Sequence, residues 1–138
     1  MFTLLLLLSS FRSLVLAKTV TYNWNITWVT AAPDGFPRPV IGIDGQWPCP
    51  ELRVDLGDRV IVTINNQLGN QSTGIHWHGI HQNGTSYMDG AAGVGQCPVP
   101  PGKSFTYDWV VSPCMFSLLS GNQRSIGRST WNVLVSLT

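Results

Sequence analysis

The sequence predicts an all-β fold, a sandwich or barrel, and three observations carry that reading. Short runs of β-branched and aromatic residues are separated by turn clusters, in a chain of 138 residues with 14 glycines and 9 prolines. Several of those runs alternate apolar and polar residues with the two-residue period of a half-buried strand. No long segment sustains the 3.6-residue period of an amphipathic helix.

The elements follow in order. "KTVTYNWNITWVT" reads as a first strand, and "AAPDGFPRP" is a turn cluster. "VIGIDGQWPCP" is a short strand running into a Gly/Pro-rich bend. "ELRVDLGDRVIVTINNQL" reads as a hairpin: Val54 and Leu56 share a face, Gly57-Asp58 turns the chain, and Val60, Val62 and Ile64 alternate after it. A further strand carries "TGIHWHG", and "PVPPG" then breaks the chain. "KSFTYDWVV" places Phe105, Tyr107 and Trp109 on one face. After Val110 the alternation stops, and only "TWNVLVSL" suggests one more strand. This divides the chain into a leader (1–17), one β domain (18–110) and an atypical tail (111–138).

The leader "MFTLLLLLSSFRSLVLA" has apolar runs at Leu4–Leu8 and Leu14–Leu16 and ends in Val15-Leu16-Ala17, a pattern suited to signal-peptidase cleavage. It is too short for a membrane span, which needs about 20 apolar residues. The mature chain is expected to start near Lys18. Sequons at Asn25, Asn70 and Asn83 agree with a secreted or secretory-pathway chain that is a glycoprotein. Three cysteines (Cys49, Cys97, Cys114) cannot all pair within the chain. A net charge of +1, 11% charged residues and no basic run argue against nucleic acid as a partner.

Candidate chemistry is concentrated in "GIHWHGIHQNGTSYMDG", which holds every histidine: His76, His78 and His81. On a strand, residues i and i+2 face the same way, about 7 Å apart, so His76 and His78 project together and Trp77 points oppositely. Neutral imidazole suits copper, zinc, iron and nickel. Two histidines on a polar face, or half of a mononuclear zinc site, are the alternatives. Gly74 and Gly79 flank the pair and would admit close backbone approach. His81, five residues from His76, is read as a loop or rim residue. Asp89 is either a turn former or an outer carboxylate that orients water or relays protons.

"GIHWHGIHQNGTSYMDGAAGVGQCPVPPG", with "RPVIGIDGQWPCPELRVDLGDRVIV" and "NQLGNQST" upstream, closely resembles the first domain of fungal multicopper oxidases, the laccase and iron-oxidase group. The resemblance runs from about Thr19 to Trp109. It implies a cupredoxin-like Greek-key barrel and a parent enzyme that takes single electrons from phenols or Fe(II) and reduces O2 to water. It implies copper as cofactor, with His76 a type 2 ligand, His78 a type 3 ligand and Asp89 a proton relay. Cys97 matches a cysteine that in many laccases bridges to a distant C-terminal region.

A trinuclear copper cluster in that group needs four His-x-His pairs, and this chain has one, with no histidine after His81. The chain by itself is therefore expected to be inactive, and a truncation, frameshift or retained intron near Trp109 is the expected origin of the break. A small mononuclear blue-copper carrier is the rival from another class. It needs a thiolate with two imidazoles, and no histidine follows Cys97 or Cys114. A non-catalytic copper-binding fragment is the third reading.

Overall fold

A computed structural model describes residues 17–78, 80 and 82–112, together with the backbone pairing of four residues beyond them. His81, Gly79 and Cys114, and all of the leader before Ala17, lie outside the described residues.

Strand β1 (Thr19–Ala31) is long enough to serve two neighbours. Its first part runs parallel to β4 (Arg59–Asn66), in register from Thr19↔Arg59 to Ile26↔Asn66. Its second part pairs antiparallel with β2 (Arg38–Ile43), from Ile26↔Ile43 to Ala31↔Arg38. β4 also pairs antiparallel with β6 (Ser104–Val110). The four make one sheet in the order β2-β1-β4-β6.

Strict alternation along β4 buries Val60, Val62, Ile64 and Asn66 and turns the residues between them away from the core. β6 answers with Tyr107 and Trp109, and β1 with Trp24 and Ile26. The remaining strands are two residues each: β3 (Leu52–Arg53), β5 (His76–Trp77), β7 (Thr130–Trp131) and β8 (Val135–Ser136). β3 pairs with β7 and β5 with β8, both antiparallel, so backbone from the tail lies along these two short strands.

The hairpin expected over residues 51–68 does not form. The turn at Gly57 is present, with the Asp58 N–H bonded to the Asp55 carbonyl at 3.1 Å. Both edges of β4, however, are taken by β1 and β6, which leaves none for β3. Val54 is buried as expected, whereas Leu56 is 42% exposed because the chain is already turning there. The "TGIHWHG" segment is also less regular than a continuous strand. Thr73 bridges Val99, strand pairing covers only His76 and Trp77, and His78 lies in a turn.

Trp77 sits at the centre of the core. It is fully buried and its ring lies 5.2 Å from Tyr107, 5.5 Å from Trp109 and 6.4 Å from Trp24. The edge-on approach to Tyr107 (85°) suits the positive rim of one ring against the face of the other. Trp77→Ala is expected to destabilise the domain by roughly 3–5 kcal/mol, since removing a buried Trp loses both transfer energy and packing. Urea unfolding followed by tryptophan fluorescence measures this.

Candidate metal centre

Burying Trp77 inward turns its two neighbours outward together. His76 is half-buried and His78 exposed, and their ring centroids are 4.7 Å apart at an interplanar angle of 68°. The two imidazoles thus converge, as the i, i+2 spacing predicts, although His78 has already left the strand.

Three contacts hold the strand that carries them. The Ile75 N–H donates to the Tyr107 hydroxyl at 2.8 Å, and Gln96 Nε2 donates to the same oxygen at 3.3 Å. Burial is the main cause that raises the Tyr107 phenol above its ordinary range, so it stays a neutral anchor. Trp77 Nε1 donates to the Met88 carbonyl at 3.0 Å. Upstream, Thr73 and Val99 exchange backbone hydrogen bonds of 3.0 and 2.7 Å.

The contact with Met88 aligns the following residues on His76. A single 3-10 turn, Ser86–Met88, leads into Asp89, whose carbonyl lies 3.1 Å from His76 Nδ1. A carbonyl only accepts, so Nδ1 is the donor and carries the proton. In the neutral ring that leaves Nε2 with its lone pair available, the usual arrangement of a metal-binding histidine. Asp89 Oδ1 also lies 3.1 Å from Nδ1, but only the carbonyl meets hydrogen-bond geometry. The carboxylate oxygen is buried and left without a hydrogen bond.

Sequence reading gave Asp89 a role through its carboxylate. In the structure its backbone carbonyl orients His76, and its side chain supplies a buried acceptor beside the same ring. Gly90 was missed. It has φ of +74°, and a Cβ there would overlap the Ile75 carbonyl, so only glycine lets this segment lie against β5. Gly74 does what its position suggested: a Cβ there would lie 3.0 Å from the Gly90 carbonyl oxygen. The Met-Asp-Gly signal was visible, but it reads locally as a turn.

Among the described residues no group of three or more His, Cys, Asp and Glu side chains is placed to hold a metal ion. The donor types fit a copper ion; the number of donors fits only part of a coordination shell. A separate cleft of about 410 Å³ lies between Gln82–Thr85 and Asp108–Ser112. Gln82 and Trp109 line it, and neither His76 nor His78 does. Asn70 and Asn83 are exposed, whereas Asn25 is half-buried and its amide bonds Asp44 and Asn65.

Such an arrangement defines a cupredoxin-like domain that presents a paired-histidine strand at its surface. The multicopper oxidase family matches residues 25–118, and the chain belongs to that family. It is 58% identical over 99 residues to the iron transport multicopper oxidase fetC of Epichloe festucae, covering 71% of this chain and 16% of that protein. It is 48% identical over 94 residues to Laccase-2 of Cryptococcus neoformans var. grubii, covering 68% and 16%. The crystal structure of Fet3p, a multicopper oxidase that functions in iron import, superposes with a TM-score of 0.64. Identity there is 42%, over 69% of this chain and 18% of that one. The chain therefore spans about one-sixth of the length of these relatives.

Gly90→Ala is expected to lower stability by about 2 kcal/mol or more, from a backbone overlap at a left-handed position. Thermal unfolding of the variant against Asp89→Ala checks it. The Asp89→Ala loss is expected to be smaller, because that change retains the carbonyl contact to His76.

Proposed function

We propose that this chain is the N-terminal copper-binding domain of a multicopper oxidase, in which one-electron oxidation of Fe(II) or a phenol is coupled to reduction of O2 to water. His76 and His78 are the copper ligands and Asp89 is the proton relay. The observation that carries this reading is the convergence of the two imidazoles while the Asp89 carbonyl holds His76 Nδ1, leaving Nε2 free to ligate. Copper, when bound, supplies the one-electron and oxygen chemistry. The chain's own residues fix the ligands in place. Trp77 and Tyr107 set the strand, and the Asp89 carbonyl sets the tautomer.

The buried Oδ1 of Asp89, lacking a donor, is where this chain can hold a proton beside the ligands. Fe(II) is favoured over phenols as the reductant by the higher identity to an iron transport oxidase than to a laccase. We further propose secretion, with 1–17 as a leader, 18–110 as the family domain and 111–138 as a divergent tail. Asn25, Asn70 and Asn83 are the proposed glycan acceptors. Among the described residues no helix is long and apolar enough to cross a membrane.

With two ligands and no third among the described residues, the chain acting alone is a copper-binding fragment without turnover. Oxygen uptake with Fe(II) or a phenol, measured on the copper-treated full chain, is expected to match free copper. Turnover above that level contradicts the fragment reading. Cu(II) titration followed by electron paramagnetic resonance is expected to lose about tenfold or more in affinity in His76→Ala and in His78→Ala. Asp89→Asn retains affinity, since the backbone carbonyl remains. Unchanged affinity in both histidine variants would sink the ligand assignment.

A further inference from the structure

Away from the histidines, the turn before β4 holds a buried carboxylate. Asp58 is 1% exposed, yet its carboxylate is fully engaged. Oδ1 accepts the backbone N–H of Lys18 at 3.0 Å, and Oδ2 accepts that of Asp55 at 2.9 Å. Burial pushes this carboxyl up, but the two backbone N–H groups and the Lys18 charge outweigh it and hold the group below its ordinary value.

The cationic compensation is incomplete. Lys18 Nζ lies 3.5 Å from Oδ2 but is 56% exposed and sits closer to Asp55, at 2.9 Å. The other nearby cation, Arg59, is turned to Asp108, which it grips through two nitrogens at 2.8 and 2.5 Å. Among the described residues this buried carboxylate faces only a solvated, shared ammonium and has no dedicated counter-ion.

Lys18 is also the residue that follows Ala17, where the sequence suits leader cleavage. We propose that removal of the leader at the Ala17–Lys18 bond turns the Lys18 backbone nitrogen into an α-ammonium whose counter-ion is the buried Asp58 carboxylate. The inference rests on the secretory-leader reading given above. A secretory endopeptidase hydrolyses the bond with one water. The hydroxyl goes to the Ala17 carbonyl, a hydrogen goes to the Lys18 nitrogen, and that amine takes a further proton from solvent at neutral pH. The charge arises at an atom already 3.0 Å from Oδ1, with no rearrangement needed.

Maturation thereby fastens the start of β1 where the Lys18 carbonyl already accepts the Arg59 N–H at 2.9 Å, the first rung of the β1–β4 pairing. Asp58 is the carboxylate that faces the new ammonium, Asp55 is taken by Nζ of the same lysine, and Arg59 is held off by Asp108. A carboxylate partner raises an amine's pKa. Its stabilisation is present below the unfolded α-amino value of about 8 and is lost as pH rises through the higher folded value.

The test is secretion of the full chain from a eukaryotic host, N-terminal sequencing of the product, and amine acylation at pH 7. Sequencing is expected to begin at Lys18. The native α-amine is expected to acylate about tenfold or more slowly than in the urea-unfolded chain, the effect of at least one unit of pKa. Asp55→Asn, which touches only Nζ, keeps the slow rate. Asp58→Asn brings it to within about twofold of the unfolded rate. Should Asp58→Asn fail to fold, the native-against-unfolded ratio and the Asp55→Asn control still decide. A start at any other residue overturns the processing assignment. A start at Lys18 with equal native and unfolded rates overturns the ion pair. Neither outcome bears on copper binding by His76 and His78.

Discussion

The geometry of the two converging histidines depends on the burial of one indole. Trp77 lies between the two histidines in sequence and is fully enclosed by Trp24, Tyr107 and Trp109. With that ring inward, His76 on the strand and His78 in the turn that follows both face outward, their rings 4.7 Å apart. The same indole donates to the Met88 carbonyl, which brings Asp89 and Gly90 alongside and delivers a carbonyl to His76 Nδ1. The spacing of the two imidazoles, the His76 tautomer and the nearby carboxylate all follow from that packing. A site built this way needs little regular strand, since pairing covers only His76 and Trp77.

The surrounding sheet supplies the fixed frame. β4 is central and alternates cleanly, and its parallel partner β1 can reach it only through a long connection. Asn66, buried at the end of β4, donates to the carbonyls of Gln71 and Val99 at 2.8 Å each. It thereby ties that strand to the segment that leads into Thr73 and the histidines. At the opposite end of β4, Asp58 gathers the start of β1. The strand is thus fixed at both ends by buried polar side chains whose hydrogen bonds are made to backbone, the condition under which burying them is not destabilising.

Much of this was legible in the sequence because it is local. Alternation of Val60, Val62 and Ile64 marks β4, Tyr107 and Trp109 mark β6, and His-Trp-His shows the outward pair. What failed was partner choice. A Gly57 turn between two apolar runs signals a hairpin, but whether the second run has a free edge depends on β1 and β6, which are remote in sequence. The part played by the Asp89 backbone was hidden for a related reason. A carbonyl has no sequence signature, and the need for glycine at position 90 comes from Ile75, fifteen residues earlier. His81 belongs to the same motif but lies outside the described residues, so its reading as a rim residue stays an expectation.

In this member of the multicopper oxidase family two imidazoles converge, and among the described residues no third His, Cys, Asp or Glu side chain joins them. The Asp89 carbonyl fixes neutral His76 as the Nδ1-protonated tautomer, with its ring against that of His78. Long-range 15N–1H correlation spectra of the 15N-labelled full chain read that directly. The expected result is a pyrrole-like Nδ1 and a pyridine-like Nε2 for His76, with cross-relaxation between the two imidazoles. A protonated Nε2 on neutral His76, or two rings with no cross-relaxation, would contradict it.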